Sequence, residues 1–151
     1  MPISFHFLDK ITLSNRKGLK SYILNIFYNE KVLCKTLNII MCSDEYLLEI
    51  NKDFLKHDFY TDVISFNFSS DLNIIEGDVY ISSNRIRENA KYFKQTVENE
   101  LHRVMFHGIL HFCGYKDKTK KDRIEIRMKE NYYLNHYFVS RETRRKELNK
   151  N

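Results

Sequence analysis

Val63-Ile64-Ser65-Phe66-Asn67-Phe68 and, after the turn Ser69-Ser70-Asp71, a second run over 74–82 that contains Gly77-Asp78-Val79-Tyr80-Ile81-Ser82 decide the architecture. Both runs read as strands. The few polar residues between them join them as an antiparallel hairpin with a medium loop. Outward from the hairpin the pattern turns helical on both sides. Ser43 is a good N-cap for a helix over 44–55, with Asp44 and Glu45 in its first turn and Tyr46, Leu47, Ile50 and Phe54 as its apolar stripe. A polar turn over 56–62 links it to the hairpin. On the other side a helix over 84–94 carries Ile86, Ala90 and Phe93 on one side. Thr96 then caps a helix over 97–113 whose second half is apolar most of the way round, which predicts a path through the middle of the domain.

Further out, Ile3, Phe5 and Phe7 alternate on a short strand over 3–8, and 32–41 is a second strand apolar enough to lie inside a sheet. Between them Ser14 or Asn15 can cap a helix to about Asn29, with Leu19, Tyr22, Ile23, Ile26 and Phe27 at helical spacing. Thr119 and Asp122 match a capping box and open a last helix to about Tyr137. Residues 1–139 therefore read as one domain, and 140–151 as a basic, charged tail. Mixed strands and helices with an antiparallel hairpin predict an α+β fold: a small mixed β-sheet packed with helices.

Chemistry concentrates in Phe106-His107-Gly108-Ile109-Leu110-His111-Phe112-Cys113-Gly114-Tyr115-Lys116-Asp117. His107 and His111 are one helical turn apart, roughly 5–6 Å between Cβ atoms, so both imidazoles can reach one cation. Gly114 can stop the helix in a left-handed conformation. The chain then turns back, and Asp117 is placed to bring a third ligand. Three protein ligands with the remaining coordination sites open is the pattern of catalytic zinc. The metal site is thus expected at the C-terminal end of the central helix. Two half-buried core histidines are the plain alternative. Cys113 points about 200° away from His111 around the helix and reads as a small buried residue. The glutamate that follows the first histidine of a metalloprotease helix is Gly108 here, so no general base is named by this stretch.

The chain is 151 residues long and 42% hydrophobic, enough for one core. A formal charge of +5 and a pI near 9.0 favour an acidic partner such as nucleic acid. Cys34, Cys42 and Cys113 show no paired spacing, which points to a reducing compartment and not to a disulfide framework. The first residues do not form a signal peptide, and no apolar run reaches the ~18 residues of a membrane span. A cytoplasmic protein is expected.

His107-Gly108-x-Leu110-His111-x-x-Gly114-Tyr115 resembles the YbeY family of bacterial endoribonucleases. Thr61-Asp62-Val63-Ile64-Ser65-Phe66 and Gly77-Asp78-Val79-Tyr80-Ile81-Ser82 resemble two strand motifs of the same family. Asn51 and Asp58 fall where the family's preceding segment would put them. The resemblance runs from about residue 40 to 137. It implies a metal-dependent endonuclease of single-stranded RNA in the cytoplasm. It also implies action in ribosomal RNA maturation, at the 16S 3′ end, and in ribosome quality control, with zinc as the metal and small-subunit ribosomal proteins as further partners. Most members carry Asp-His after Gly-Tyr. Here Lys116-Asp117 stands there, so the third ligand becomes a carboxylate, which zinc accepts at about 2.0–2.2 Å and which brings manganese closer as an alternative. An arginine that many members place before the first strand motif is Leu55 here, leaving Lys56 and His57 nearby. His57 and Lys116 are the candidates for phosphate contact. Two rival readings stay open: a metalloprotease, and a non-enzymatic ribosome-associated factor with a structural metal.

Overall fold

The computed structural model describes residues 2–56 and 60–149. His57 and Asp58, singled out from the sequence, lie outside the described residues. The chain runs β1 (Ile3–Phe7), α1 (Arg16–Asn29), β2 (Leu33–Cys42), α2 (Asp44–Leu55), β3 (Val63–Asn67), β4 (Ile74–Ser82), α3 (Ser83–Tyr92), α4 (Val97–Phe112) and α5 (Lys120–Asn149). The sheet has four strands in the order β1-β2-β4-β3. β1 and β4 both pair with β2 in parallel, and β3 pairs with β4 antiparallel, Ile64 facing Tyr80 and Phe66 facing Asp78. This is the α+β mixed sheet expected from the hairpin.

Strand alternation divides the apolar residues between two faces. Leu37, Ile39 and Met41 of β2 join Ile75, Val79 and Ile81 of β4 in the main core, beneath α1, α4 and α5. Cys42, Ile64, Phe66 and Tyr80 point the other way and meet Leu47 and Ile50 of α2. α2 covers only part of that face. Of its expected stripe, Leu47 and Ile50 are buried, but Tyr46 and Phe54 stay exposed at its edge against Tyr80 and Phe66.

α4 is the buried helix the sequence predicts. Leu101, Met105, Phe106, Ile109 and Leu110 are fully enclosed. Each such side chain contributes roughly 1.5–3 kcal/mol by burial, so the apolar side of the helix sets its rotation. Gly108 is what lets it come so close. A Cβ there would lie 3.0 Å from Val63 Cγ2, 3.1 Å from Val79 Cγ1 and 3.2 Å from Ser65 Oγ. Ser65 also donates a 2.9 Å hydrogen bond to the Gly108 carbonyl.

The caps at Ser43 and Thr96 form as expected, accepting from the backbone N–H groups of Tyr46 and Asn99, and Thr119 and Asp122 bond reciprocally at the start of α5. The structure departs from the sequence reading at three further points. Asn15 is left-handed at φ 55 and makes no cap; its amide reaches the Tyr137 hydroxyl at 3.2 Å instead. α3 ends at Tyr92, because Lys94 at φ 55 closes the turn, so Phe93 leaves the apolar stripe and is 53% exposed. α5 does not stop near Tyr137. No glycine or proline follows to break it, and Arg141 holds it to the body of the protein by pairing with Glu98 and donating to Ser14 at 2.9 Å. No helix among the described residues is long and apolar enough to cross a membrane.

Candidate metal centre

One stripe of α4 is polar although the helix is buried. Glu100, Arg103, His107 and His111 recur at spacings of three and four residues and so share a face. With the apolar side turned to the sheet, this stripe faces α5 and the loop after α4. Gly114, at φ 96, ends the helix, and its N–H bonds the His111 carbonyl at 3.1 Å. The loop then returns and brings Asp117 over the rings.

His107 Nε2 and His111 Nε2 are 3.0 Å apart, and Asp117 Oδ2 lies 3.3 Å from the first and 3.4 Å from the second. The other ring nitrogens are already engaged. His107 Nδ1 is 2.8 Å from Glu130 Oε2, and His111 Nδ1 is 2.9 Å from the Tyr115 carbonyl. Both of these partners accept, so both Nδ1 atoms carry the proton and donate. In neutral imidazoles that leaves two Nε2 lone pairs and a carboxylate oxygen converging on one point with no proton among them. Such a cluster of acceptors calls for a cation. His107, His111 and Asp117 form a group that can hold a metal ion, its ligand atoms all within 4.8 Å of one another.

Glu130, on α5, is the member that sequence reasoning missed. Its carboxylate is almost wholly buried and serves three partners at once. One oxygen orients His107; the other pairs with Arg103 at 3.3 Å and Arg127 at 3.7 Å. A carboxylate behind a ligating histidine fixes the tautomer and raises the basicity of the ring. Burial alone would lower the pKa of His107, but the Glu130 hydrogen bond and the charges of Glu130, Asp62 and Asp117 outweigh it and hold it above the usual imidazole value. The Tyr115 side of the site is anchored as well. Tyr115 and Tyr133 both donate to Glu30, the first at 2.7 Å, so the loop carrying the carbonyl and Asp117 is tied to α1 and α5.

Beside the ligand group lies an open cleft of about 670 Å³, lined by Asp62, Asn89, Phe93, Gln95, Glu100, Arg103, Val104, His107, Asp117, Arg123, Ile126, Arg127 and Glu130. Burial pushes the carboxyls of Asp62 and Glu100 above the usual carboxylate range, with His107 and Arg103 respectively pulling the other way. The cations of the cleft come from α4 and α5. Lys116, expected as a phosphate contact, faces a separate small pocket with Tyr115, Asp122 and Glu125. Lys56 caps α2 at φ 55 and is not part of the cleft lining, and neither is Leu55. Cys113 packs against the core, and burial pushes its thiol up to about 12. The polar spacing along α4 was signal enough to find Glu100 and Arg103. Glu130 had no local signal, because only the packing of α5 on α4 brings it to His107.

Residues 8–138 match the sequence profile of the family described as Endoribonuclease YbeY. An Endoribonuclease YbeY of Cytophaga hutchinsonii is 48% identical over 122 residues, covering 81% of this chain and 85% of that one. Another, from Flavobacterium psychrophilum, is 43% identical over 137 residues, covering 91% and 97%. Among solved structures, the solution structure of TM1509 from Thermotoga maritima superposes with a TM-score of 0.63 at 27% identity, over 94% of this chain and 93% of that protein. The two strand motifs, the histidine helix and these matches agree along nearly the whole length, and the chain belongs to the YbeY endoribonuclease family.

Proposed function

We propose that His107, His111 and Asp117 hold one zinc ion and that the protein cuts single-stranded RNA during ribosomal RNA maturation. The observation that carries this is the convergence of two Nε2 atoms and one carboxylate oxygen, with both Nδ1 atoms already donating elsewhere. Zinc bound there would supply Lewis acidity to a phosphoryl oxygen and make a neighbouring water more acidic. The chain's own residues do the rest. Glu130 keeps His107 in the ligating tautomer, and Tyr115 does the same for His111. Arg103 and Arg127 line the cleft, each paired with Glu130, and are the contacts offered to a bound phosphodiester. The carboxylate ligand leaves the ion with less charge than three imidazoles would, and manganese is the metal to compare with zinc. The 16S 3′ end is the expected place of action, in the cytoplasm. Ribosome quality control and contact with small-subunit proteins belong to the same reading.

The metalloprotease alternative loses its ground at Gly108. That position packs against Val63, Ser65 and Val79, so no glutamate fits there. The structural-metal alternative is disfavoured because the ligand group sits at the mouth of a cleft and Asp117 is half exposed. The deciding experiment assays the purified protein on single-stranded RNA and on casein, with and without a chelator, beside His107→Ala and Asp117→Ala. RNA cleavage that stops on chelation while the fold persists is expected. Casein cleavage without RNA cleavage would overturn the proposal, as would unfolding on chelation.

A further inference from the structure

The cleft that opens beside the ligand group has two walls of different chemistry. The wall formed by α3 and the turn into α4 carries Asn89, Phe93 and Gln95. The floor and the opposite wall, from α4 and α5, carry Arg103, Arg123 and Arg127 among the carboxylates Glu100 and Glu130, the last of which pairs with Arg103 and Arg127. The first wall offers a ring between two amides, and the second offers guanidinium groups. His107 and Asp117 close one end.

Phe93 is the unexpected member. The periodicity of α3 assigns it to the buried stripe with Ile86 and Ala90, yet those two are buried and Phe93 is 53% exposed. Tyr92 beside it is 81% exposed, and the two rings meet edge to face at 5.0 Å. The backbone holds Phe93 there. Its N–H bonds the Asn89 carbonyl at 2.8 Å, and the Gln95 N–H bonds the Ala90 carbonyl at 2.8 Å, which closes the turn through Lys94. The ring therefore stands on a fixed turn at the edge of a charged cleft. The amides are poised for a base edge. Asn89 donates to Asp62 at 3.4 Å and keeps its carbonyl oxygen, while Gln95 accepts from Asn99 and keeps its N–H groups.

We propose that this cleft is the subsite for one unpaired nucleotide next to the scissile phosphate, with its base laid on Phe93 between Asn89 and Gln95 and its phosphate held by Arg103 and Arg127. The inference rests on the endoribonuclease reading above and names the part of the substrate that this side of the site takes. A ring that accepts a base face and cations that track the backbone are the two components of single-strand recognition. A paired base is stacked on both faces and its edge is engaged, so it cannot lie on Phe93. The aromatic wall thereby turns a general attraction for phosphate into a preference for unpaired RNA. At about 670 Å³ the cleft falls within the roughly 300–1,000 Å³ usual for small-ligand sites.

The test measures binding and cleavage of a short single-stranded oligoribonucleotide carrying one 2-aminopurine, and of the same strand with an abasic residue at that place. The full-length wild type is compared with Phe93→Ala and Phe93→Trp, and with His107→Ala as a metal-site control. Phe93→Ala is expected to weaken binding on the order of tenfold, to raise KM with kcat nearly unchanged, and to abolish the quenching of 2-aminopurine. Phe93→Trp should restore all three. On the abasic strand Phe93→Ala should cost nothing. Because the ring is half exposed, the melting temperature should not move. If wild type and Phe93→Ala bind and cut the intact strand alike, the subsite is wrong while the nuclease reading stands. If the wild type neither binds nor cuts RNA, both fall.

Discussion

Glu130 binds two functions of the site together at a single carboxylate. One oxygen orients His107 and the other restrains Arg103, so its loss should be felt first in metal affinity. Glu130→Gln keeps the shape but removes the charge that supports the ring. Metal titration should show affinity falling about 10–100-fold, the usual cost of losing such a partner, and the melting temperature should fall as well, because Arg103 loses its buried counter-charge. His102 gives a different prediction. It is fully buried on α4 among Phe106, Tyr137 and Phe138, Nδ1 bonds the Glu98 carbonyl, and Nε2 is buried with no hydrogen-bond partner. Burial pushes its pKa below the usual value of 6.5. Below pH 6.5 the unfolded chain takes up a proton that the folded chain refuses, so this residue's stabilisation is lost as pH falls and is full above that value. Thermal melts from pH 8 to pH 5 should show a steeper decline for the wild type than for His102→Phe.

Among the elements, α4 is constrained on both sides, by the sheet at Gly108 and by the ligand loop at its end. Gly108→Ala sets two effects against each other. Alanine favours the helix by about 1 kcal/mol, whereas overpacking typically costs about 1–3 kcal/mol. The methyl group would press on Val63 and Val79, β-branched and held in strands, as well as on Ser65. Overpacking should win by about 1 kcal/mol, a fall of roughly 2–4 °C in a domain of this size. α5 has its own test at its far end. Arg141 joins α5 to Glu98 at the start of α4 and to Ser14 before α1. Arg141→Ala should lower stability by about 1 kcal/mol and leave metal titration unchanged, since the ligand group lies at the opposite end of α4. This extension was not legible in the sequence. Arg, Lys and Glu suit a helix and a solvated tail equally well, and only the contact with Glu98 and Ser14 distinguishes them.

At the scale of the whole molecule, the charge of +5 is a small excess of cations over carboxylates, and both kinds meet in the cleft. Arg103, Arg123 and Arg127 line it among Asp62, Glu100, Asp117 and Glu130, so the phosphate contacts these arginines make should weaken with added salt. Each phosphate contact contributes about 0.7 to the slope of log affinity against log salt for single strands. Arg127→Ala should therefore flatten that plot by about 0.7, measured by titration at several salt concentrations.

By itself the sequence determined the strands, most helix boundaries, the mixed sheet and the two histidines with the carboxylate after the glycine stop. These are written in short-range signals: periodicity, caps, and the spacing of side chains on one helical turn. Only the tertiary structure decided that Glu130 stands behind His107, that Gly108 is a contact surface with the sheet, that the cations of the cleft are arginines of α4 and α5, and that Phe93 faces the cleft. Each of these depends on residues far apart in the chain meeting across a packed interface. Local periodicity states which face of an element is apolar, but not which neighbour will cover it.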